Sequence, residues 1–135
     1  MFMQKKVLIV EDNPELSELL RLNFEEAGFS TGTASNGRDA LTQARAFSPD
    51  LVLLDLMLPE LDGFAVCEIL RGDPAMAGVR IVMLTGVSGQ LTRYAGLESG
   101  ADDYVTKPIN PELLVAKVRK LLCRSPEGER FISSK

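Results

Sequence analysis

Residues 7–14, VLIVEDNP, decide the reading of the fold. Val7 to Val10 is a continuous aliphatic run without polar alternation, as expected of a strand covered on both faces in a parallel sheet. The run stops abruptly on Glu11 and Asp12. Asn13 and Pro14 then supply an N-cap and a first-turn proline, and Leu16, Leu19, Leu20 and Phe24 recur at helical spacing until Gly28 ends the helix. The unit is strand, acidic loop, helix.

The same unit recurs along the chain. Phe29 to Ala34 reads as a weaker strand, followed by Asn36, Gly37 and a helix carrying Ala40, Leu41, Ala44 and Phe47. Leu51 to Leu54 is again wholly aliphatic and ends on Asp55; after a loop bounded by Pro59 and Gly63, Phe64, Cys67 and Leu70 form a helical face. Ile81 to Leu84 runs into Thr85 and Gly86, and Leu91, Tyr94, Ala95 and Leu97 suggest a short fourth helix weakened by Gly96. Asp103 to Thr106 reads as the last strand, before Lys107, Pro108 and a fifth helix from Pro111 with Leu114, Val118, Leu121 and Leu122 on one side. Parallel strands require right-handed crossovers with helices on both faces, so the expected class is α/β, a doubly wound five-stranded parallel sheet with five helices. The first, third and fourth strands are the most aliphatic and belong in the centre. An order of 2-1-3-4-5, the flavodoxin-like arrangement, follows, with its functional crevice at the carboxyl ends of the strands.

The chain has 135 residues, 45% hydrophobic and 25% charged, enough for one domain with a packed core and no need of disulfides or a structural metal. One domain over residues 1–124 and a tail or linker stub over residues 125–135 are expected. The net charge of -4 supplies no general basic surface, so direct nucleic-acid binding by this domain is not expected. With no histidine, the chain cannot contain Ser-His-Asp or Cys-His nucleophile systems, an HExxH site or a histidine phosphocarrier. Cys67 and Cys123 form no CxxC and read as reduced thiols of a cytoplasmic protein, Cys67 in the core and Cys123 at a helix end. The apolar N-terminal run is too short for a membrane span.

The polar residues that follow the strands gather at one edge of such a sheet: Glu11 and Asp12, then Asp55, then Thr85, then Lys107. Three carboxylates placed together repel one another unless a cation lies between them, and oxygen ligands favour a hard divalent ion, Mg2+ above all. Lys107 adds a fixed positive charge and Thr85 a hydroxyl donor. Together these groups suit a phosphoryl group, whose oxygens need neutralising while an oxygen nucleophile attacks in line. Each group also has a simpler reading. Acids before a helix complement its dipole, a strand-end threonine satisfies backbone groups, and a lone lysine is usually solvated. The joint arrangement favours the phosphoryl site.

VLIVEDNP at 7–14, LVLLDLMLPELDG at 51–63, IVMLTG at 81–86 and GADDYVTKP at 100–108 resemble, in order, the landmarks of the receiver domain of two-component response regulators, over residues 5–123. The resemblance implies that Asp55 is the phosphoacceptor, that Glu11, Asp12, Asp55 and the backbone carbonyl of Met57 hold Mg2+, and that Thr85 and Lys107 contact the phosphoryl group. It places Tyr104 at the aromatic switch position and implies a cis bond between Lys107 and Pro108. Met57 and Val87, both apolar, stand where the family's residues flank the path of water to the acyl phosphate, which implies slow hydrolysis. Members of the family are standard instances of the strand order inferred above, so the two expectations are not independent.

A receiver takes up and sheds its own phosphoryl group and is a signalling domain rather than a turnover enzyme. Its implied partner is a sensor histidine kinase or histidine phosphotransfer protein. Arg93, Glu98, Asp102, Asp103, Lys117 and Arg119 partly match a charged homodimer face built from the fourth helix, fifth strand and fifth helix, although Leu91 and Leu113 stand where that pattern often has acids. A haloacid-dehalogenase-type phosphohydrolase would need a second acid where Met57 stands. An FMN-binding flavodoxin would need a phosphate loop where Glu11 and Asp12 stand. The alternative left open is a receiver-like interaction module that works without phosphorylation.

Overall fold

Each aliphatic run becomes a strand. The computed structural model of the chain describes residues 4–86 and 99–123. Among these residues the strands are β1 (Lys6–Val10), β2 (Ser30–Ala34), β3 (Leu51–Asp55), β4 (Arg80–Thr85) and β5 (Asp103–Thr106). They form one sheet of order β2-β1-β3-β4-β5, with every neighbouring pair parallel. The described α-helices are α1 (Pro14–Glu26), α2 (Gly37–Phe47), α3 (Gly63–Gly72) and α4 (Pro111–Leu122), with a 3-10 turn at Pro74–Met76. The helix expected around Leu91 to Leu97 and the tail at residues 125–135 lie outside the described residues, so α4 is the helix expected to be the fifth.

Strand alternation sends neighbouring residues to opposite faces, and both faces are covered. Val7, Ile9, Leu51, Leu53, Val82 and Leu84 pack with Leu20 and Phe24 of α1 and with Leu114 and Val118 of α4. Leu8, Val10, Val52, Leu54, Ile81 and Met83 pack with Ala40 and Ala44 of α2 and with Val66, Cys67 and Leu70 of α3. Burying each large aliphatic or aromatic side chain contributes roughly 1.5 to 3 kcal/mol, which explains why β1, β3 and β4 tolerate no polar alternation. The edge strands β2 and β5 are only partly buried.

Helix starts follow the sequence signals. Asn13 Oδ1 accepts from the N–H groups of Glu15 and Leu16 at the start of α1, and Asn36, Asp62 and Asn110 cap α2, α3 and α4 by each accepting one N–H, from Asp39, Ala65 and Leu113. The Lys107–Pro108 bond is cis. Strand β4 begins one residue before the expected aliphatic run, on Arg80, which pairs with Leu51 of β3; its guanidinium is buried because Asp102 receives it at 3.3 Å. Asp102, one of the residues expected at a charged dimer face, also holds Arg71 at 2.7 Å and accepts from the Ile81 N–H at 2.7 Å.

Candidate functional site

The carboxyl ends of β1, β3, β4 and β5 deliver the expected residues to one edge. Glu11 directly follows β1, Asp55 ends β3, Thr85 ends β4 and Lys107 directly follows β5. Backbone bonds carry the sheet a step beyond its strands: Glu11 N–H donates to Ala34 O (3.0 Å), Leu56 N–H to Leu84 O (2.8 Å) and Lys107 N–H to Thr85 O (2.6 Å). These bonds fix where each side chain departs. Glu11 and Asp55 are 2% exposed and Thr85 is fully buried, whereas Asp12 is exposed and can face an incoming group.

Lys107 lies between the two buried acids. Its Nζ is 3.0 Å from Glu11 Oε1 and 3.3 Å from Asp55 Oδ2. The second oxygen of each acid is held by backbone: Asp55 Oδ1 accepts from Met57 N–H at 3.1 Å, and Glu11 Oε2 accepts from Asn13 N–H at 3.1 Å. Glu11 Oε1 has the ion pair but no aligned hydrogen bond. Burial is the main reason that the Glu11 carboxyl is pushed up to about 6; the Asn13 N–H and Lys107 oppose the shift, and the charge of Asp55 adds to it. For Lys107, burial works against the charged form. The bond to Glu11 and the charges of Asp55 and Glu11 outweigh burial and hold the ammonium above its ordinary range.

This donor set suits a hard cation. Glu11, Asp12 and Asp55 each offer a carboxylate oxygen, and the three oxygens lie within 4.8 Å of one another. All are oxygen ligands, and a buried Glu11 oxygen without an aligned donor is the kind of orphaned acceptor that a divalent ion satisfies.

Met57 is 68% exposed and is tied to Asp55 through its N–H. Tyr104 is half-buried and packs against the core that includes Met83, its neighbour across β4 and β5. Val87, Leu91, Arg93 and Glu98 lie outside the described residues. Cys67 is in the core, where burial pushes its thiol up to about 11, and Cys123 caps α4. Both match expectation. The sequence reading did not assign a role to Gly63, whose added Cβ would lie 2.6 Å from the Asp55 carbonyl oxygen. The glycine that closes the loop is therefore also required for the close approach behind the acid. A surface concavity of about 430 Å³ between β5 and α4, lined by Asp103, Ala116, Lys117, Lys120 and Leu121, shares no residue with this cluster. The polar residues converge at the acid cluster, so the chemistry is assigned there.

Known proteins agree with this architecture. DNA-binding response regulator MtrA of Mycolicibacterium smegmatis is 48% identical over 125 residues, covering 93% of this chain and 54% of that protein. The alkaline phosphatase synthesis transcriptional regulatory protein PhoP of Bacillus subtilis is 45% identical over 123 residues, covering 91% of this chain and 50% of that protein. The chain thus spans about half the length of these curated relatives. Among solved structures, the BeF3-activated N-terminal receiver domain of RstA from Klebsiella pneumoniae superposes with a TM-score of 0.82 at 34% identity, covering 89% of this chain and all of that one. Residues 7–119 match the model of the response regulator receiver domain, and the chain belongs to that family.

Proposed function

We propose that the chain is a phosphoacceptor domain that takes a phosphoryl group onto Asp55 from the phosphohistidine of a sensor histidine kinase or a histidine phosphotransfer protein. The observation that carries this reading is the convergence of buried Asp55, Glu11 and Lys107 with exposed Asp12 at one sheet edge. A carboxylate oxygen of Asp55 forms the new O–P bond as the N–P bond to the donor imidazole breaks, and the released imidazole nitrogen takes up a proton. A carboxylate nucleophile needs no general base.

Glu11, Asp12, Asp55 and the Met57 carbonyl would hold Mg2+, which when bound neutralises phosphoryl oxygens and relieves repulsion among the acids. Lys107 then neutralises another oxygen of the transferred group, the role for which its position against Asp55 Oδ2 suits it. Thr85 supplies a hydroxyl at the end of β4. Its movement toward the phosphoryl group, followed by repacking of half-buried Tyr104, passes the change to the face of β5, α4 and the helix expected around Leu91 to Leu97. That face is also where a homodimer would form. The domain works in the cytoplasm and makes no direct contact with nucleic acid; DNA binding, which MtrA carries in its name, would belong to a further segment.

The test is intact-mass measurement after incubation with acetyl phosphate and Mg2+. One added phosphoryl group is expected on the wild type and none on Asp55→Asn. Incorporation into Asp55→Asn would overturn the assignment of the nucleophile. A wild type that stays unmodified with both acetyl phosphate and a phosphohistidine donor would leave the domain as a phosphorylation-independent interaction module.

A further inference from the structure

We propose that Gly37, at the start of α2, is a positioning residue for the metal-binding half of the Asp55 site, acting through the loop that joins β3 to α3. The inference rests on the phosphoacceptor reading above. Residues 56–62 form this loop, and its two ends are fixed. Leu56 N–H donates to Leu84 O at 2.8 Å, and Gly63 N–H returns to Leu56 O at 3.0 Å. Asp62 then caps α3 by accepting from Ala65 N–H at 3.0 Å.

The middle of the loop is tightly bent. Leu61 N–H donates to Pro59 O at 2.8 Å, and Glu60 between them has a φ of 70°, in the left-handed region that favours glycine. Leu61 packs on the core, and Gly37 sets how closely this bend lies against the start of α2. A Cβ built on Gly37 would lie 2.2 Å from the carbonyl oxygen of Leu61 and 2.6 Å from its Cβ. The closest obstacle is backbone, so a side-chain rotation cannot relieve the overlap.

Helix α2 cannot easily withdraw. Asn36 caps it through Asp39 N–H at 2.8 Å, and Ala40 and Ala44 are buried against the sheet. Small residues at this seam bring the helix start directly onto the loop. A methyl group at position 37 must therefore displace Leu61, and a loop pinned at both ends passes the displacement to the few residues between. Met57 is among them. Its N–H bonds Asp55 Oδ1, and its carbonyl is the proposed ligand. By contrast, a Cβ added at Gly72 meets nothing within 4 Å.

The probe is Mg2+ alone, titrated calorimetrically into the wild type, Gly37→Ala, Leu61→Ala and Gly72→Ala, with circular dichroism to establish that each is folded. Gly37→Ala is expected to weaken Mg2+ binding roughly tenfold, the scale typical of residues that support metal ligands. Leu61→Ala keeps the carbonyl oxygen and Cβ that meet Gly37 but removes the rest of a side chain packed on the core, which loosens the same loop without touching α2 and should shift affinity in the same direction. Gly72→Ala should bind as the wild type does. A residue with only a structural role would lower the melting temperature and leave the affinity of the folded protein unchanged. Equal Mg2+ affinity in the wild type and in folded Gly37→Ala and Leu61→Ala would overturn the inference and leave the phosphoacceptor reading standing. If Gly37→Ala does not fold, Leu61→Ala decides alone. A wild type that binds no Mg2+ would instead bring down the metal site itself, and the inference with it.

Discussion

The two ends of the sheet carry charge clusters of opposite design. At the amino end, Arg71 and Arg80 converge on Asp102, which also accepts the Ile81 N–H, while Arg71 Nε donates to Gly100 O at 2.7 Å. Two guanidinium groups surround one carboxylate, and both carboxylate oxygens have donors. At the carboxyl end, Glu11 and Asp55 share the ammonium of Lys107 with a third carboxylate, Asp12, beside them, and Glu11 Oε1 lacks an aligned donor. The first arrangement is closed and joins α3 to the start of β4 and the approach to β5. The second leaves acceptor capacity unused at a place where the backbone is firmly held. Such an unsatisfied cluster lowers the stability of the isolated protein and creates binding capacity for a cation or a phosphoryl group.

The largest stability effect should come from breaking the closed cluster. Asp102→Ala removes the carboxylate from two guanidinium groups, one of them on buried Arg80, and leaves the Ile81 N–H without its acceptor. Losing one partner of such a network costs about 3 kcal/mol. Urea unfolding should show the midpoint fall with an unchanged slope, while Mg2+ affinity stays that of the wild type. A variant that loses metal binding as well would mean that the two ends are coupled, and the contrast between them would fail.

The open cluster should respond in the other direction. Burial raises the Glu11 carboxyl from 4.5 to about 6, so between those values the folded protein holds a proton that the unfolded chain has released. Stability from this group is therefore fully present below pH 4.5 and lost as the pH rises through about 6. The shift corresponds to at most about 2 kcal/mol, and loss of the Lys107 ion pair in a variant offsets part of it. In metal-free buffer, Glu11→Gln should thus be more stable than the wild type by about 1 kcal/mol at pH 7.5. The difference should shrink at pH 5 and shrink again when Mg2+ is added to the wild type at pH 7.5. Denaturant titrations with chelator and with Mg2+ measure both. A Glu11→Gln protein less stable than the metal-free wild type at pH 7.5 would show that Lys107 already satisfies the cluster.

The open cluster was legible in the sequence and the closed one was not. Glu11, Asp55, Thr85 and Lys107 each stand at or directly after the end of a recognisable strand, and a parallel sheet necessarily gathers such positions at one edge. Aliphatic runs, caps and prolines fixed the strand order for the same reason: each signal is local and each neighbour follows from topology. Arg71, Arg80 and Asp102 lie at a helix end, a strand start and a turn. No periodicity relates them, so Asp102 read as one more surface acid beside Asp103. The contact of Gly37 with Leu61 is hidden likewise, because it joins two loops whose approach depends on the packing of α2.

The smallest effect belongs to the pair that separates these two adjacent acids. Asp103 Oδ2 meets Lys117 Nζ at 2.8 Å between β5 and α4, with side chains 26% and 39% exposed. The geometry is nearly as short as that of Arg71 with Asp102, yet the lysine is more exposed than Arg71, is the single cation on Asp103 among the described ion pairs, and loses side-chain freedom by holding its place. A double-mutant cycle of Asp103→Ala and Lys117→Ala should give a coupling of about 0.5 kcal/mol, falling toward zero in concentrated salt. The corresponding cycle for Asp102 and Arg71 should retain most of its coupling under the same salt. If the two cycles lose coupling equally, the additional donors on Asp102 do not distinguish it from Asp103, whose side chain is about as exposed. Asp102 would then return to the surface charges from which its contacts with Arg71 and Arg80 set it apart.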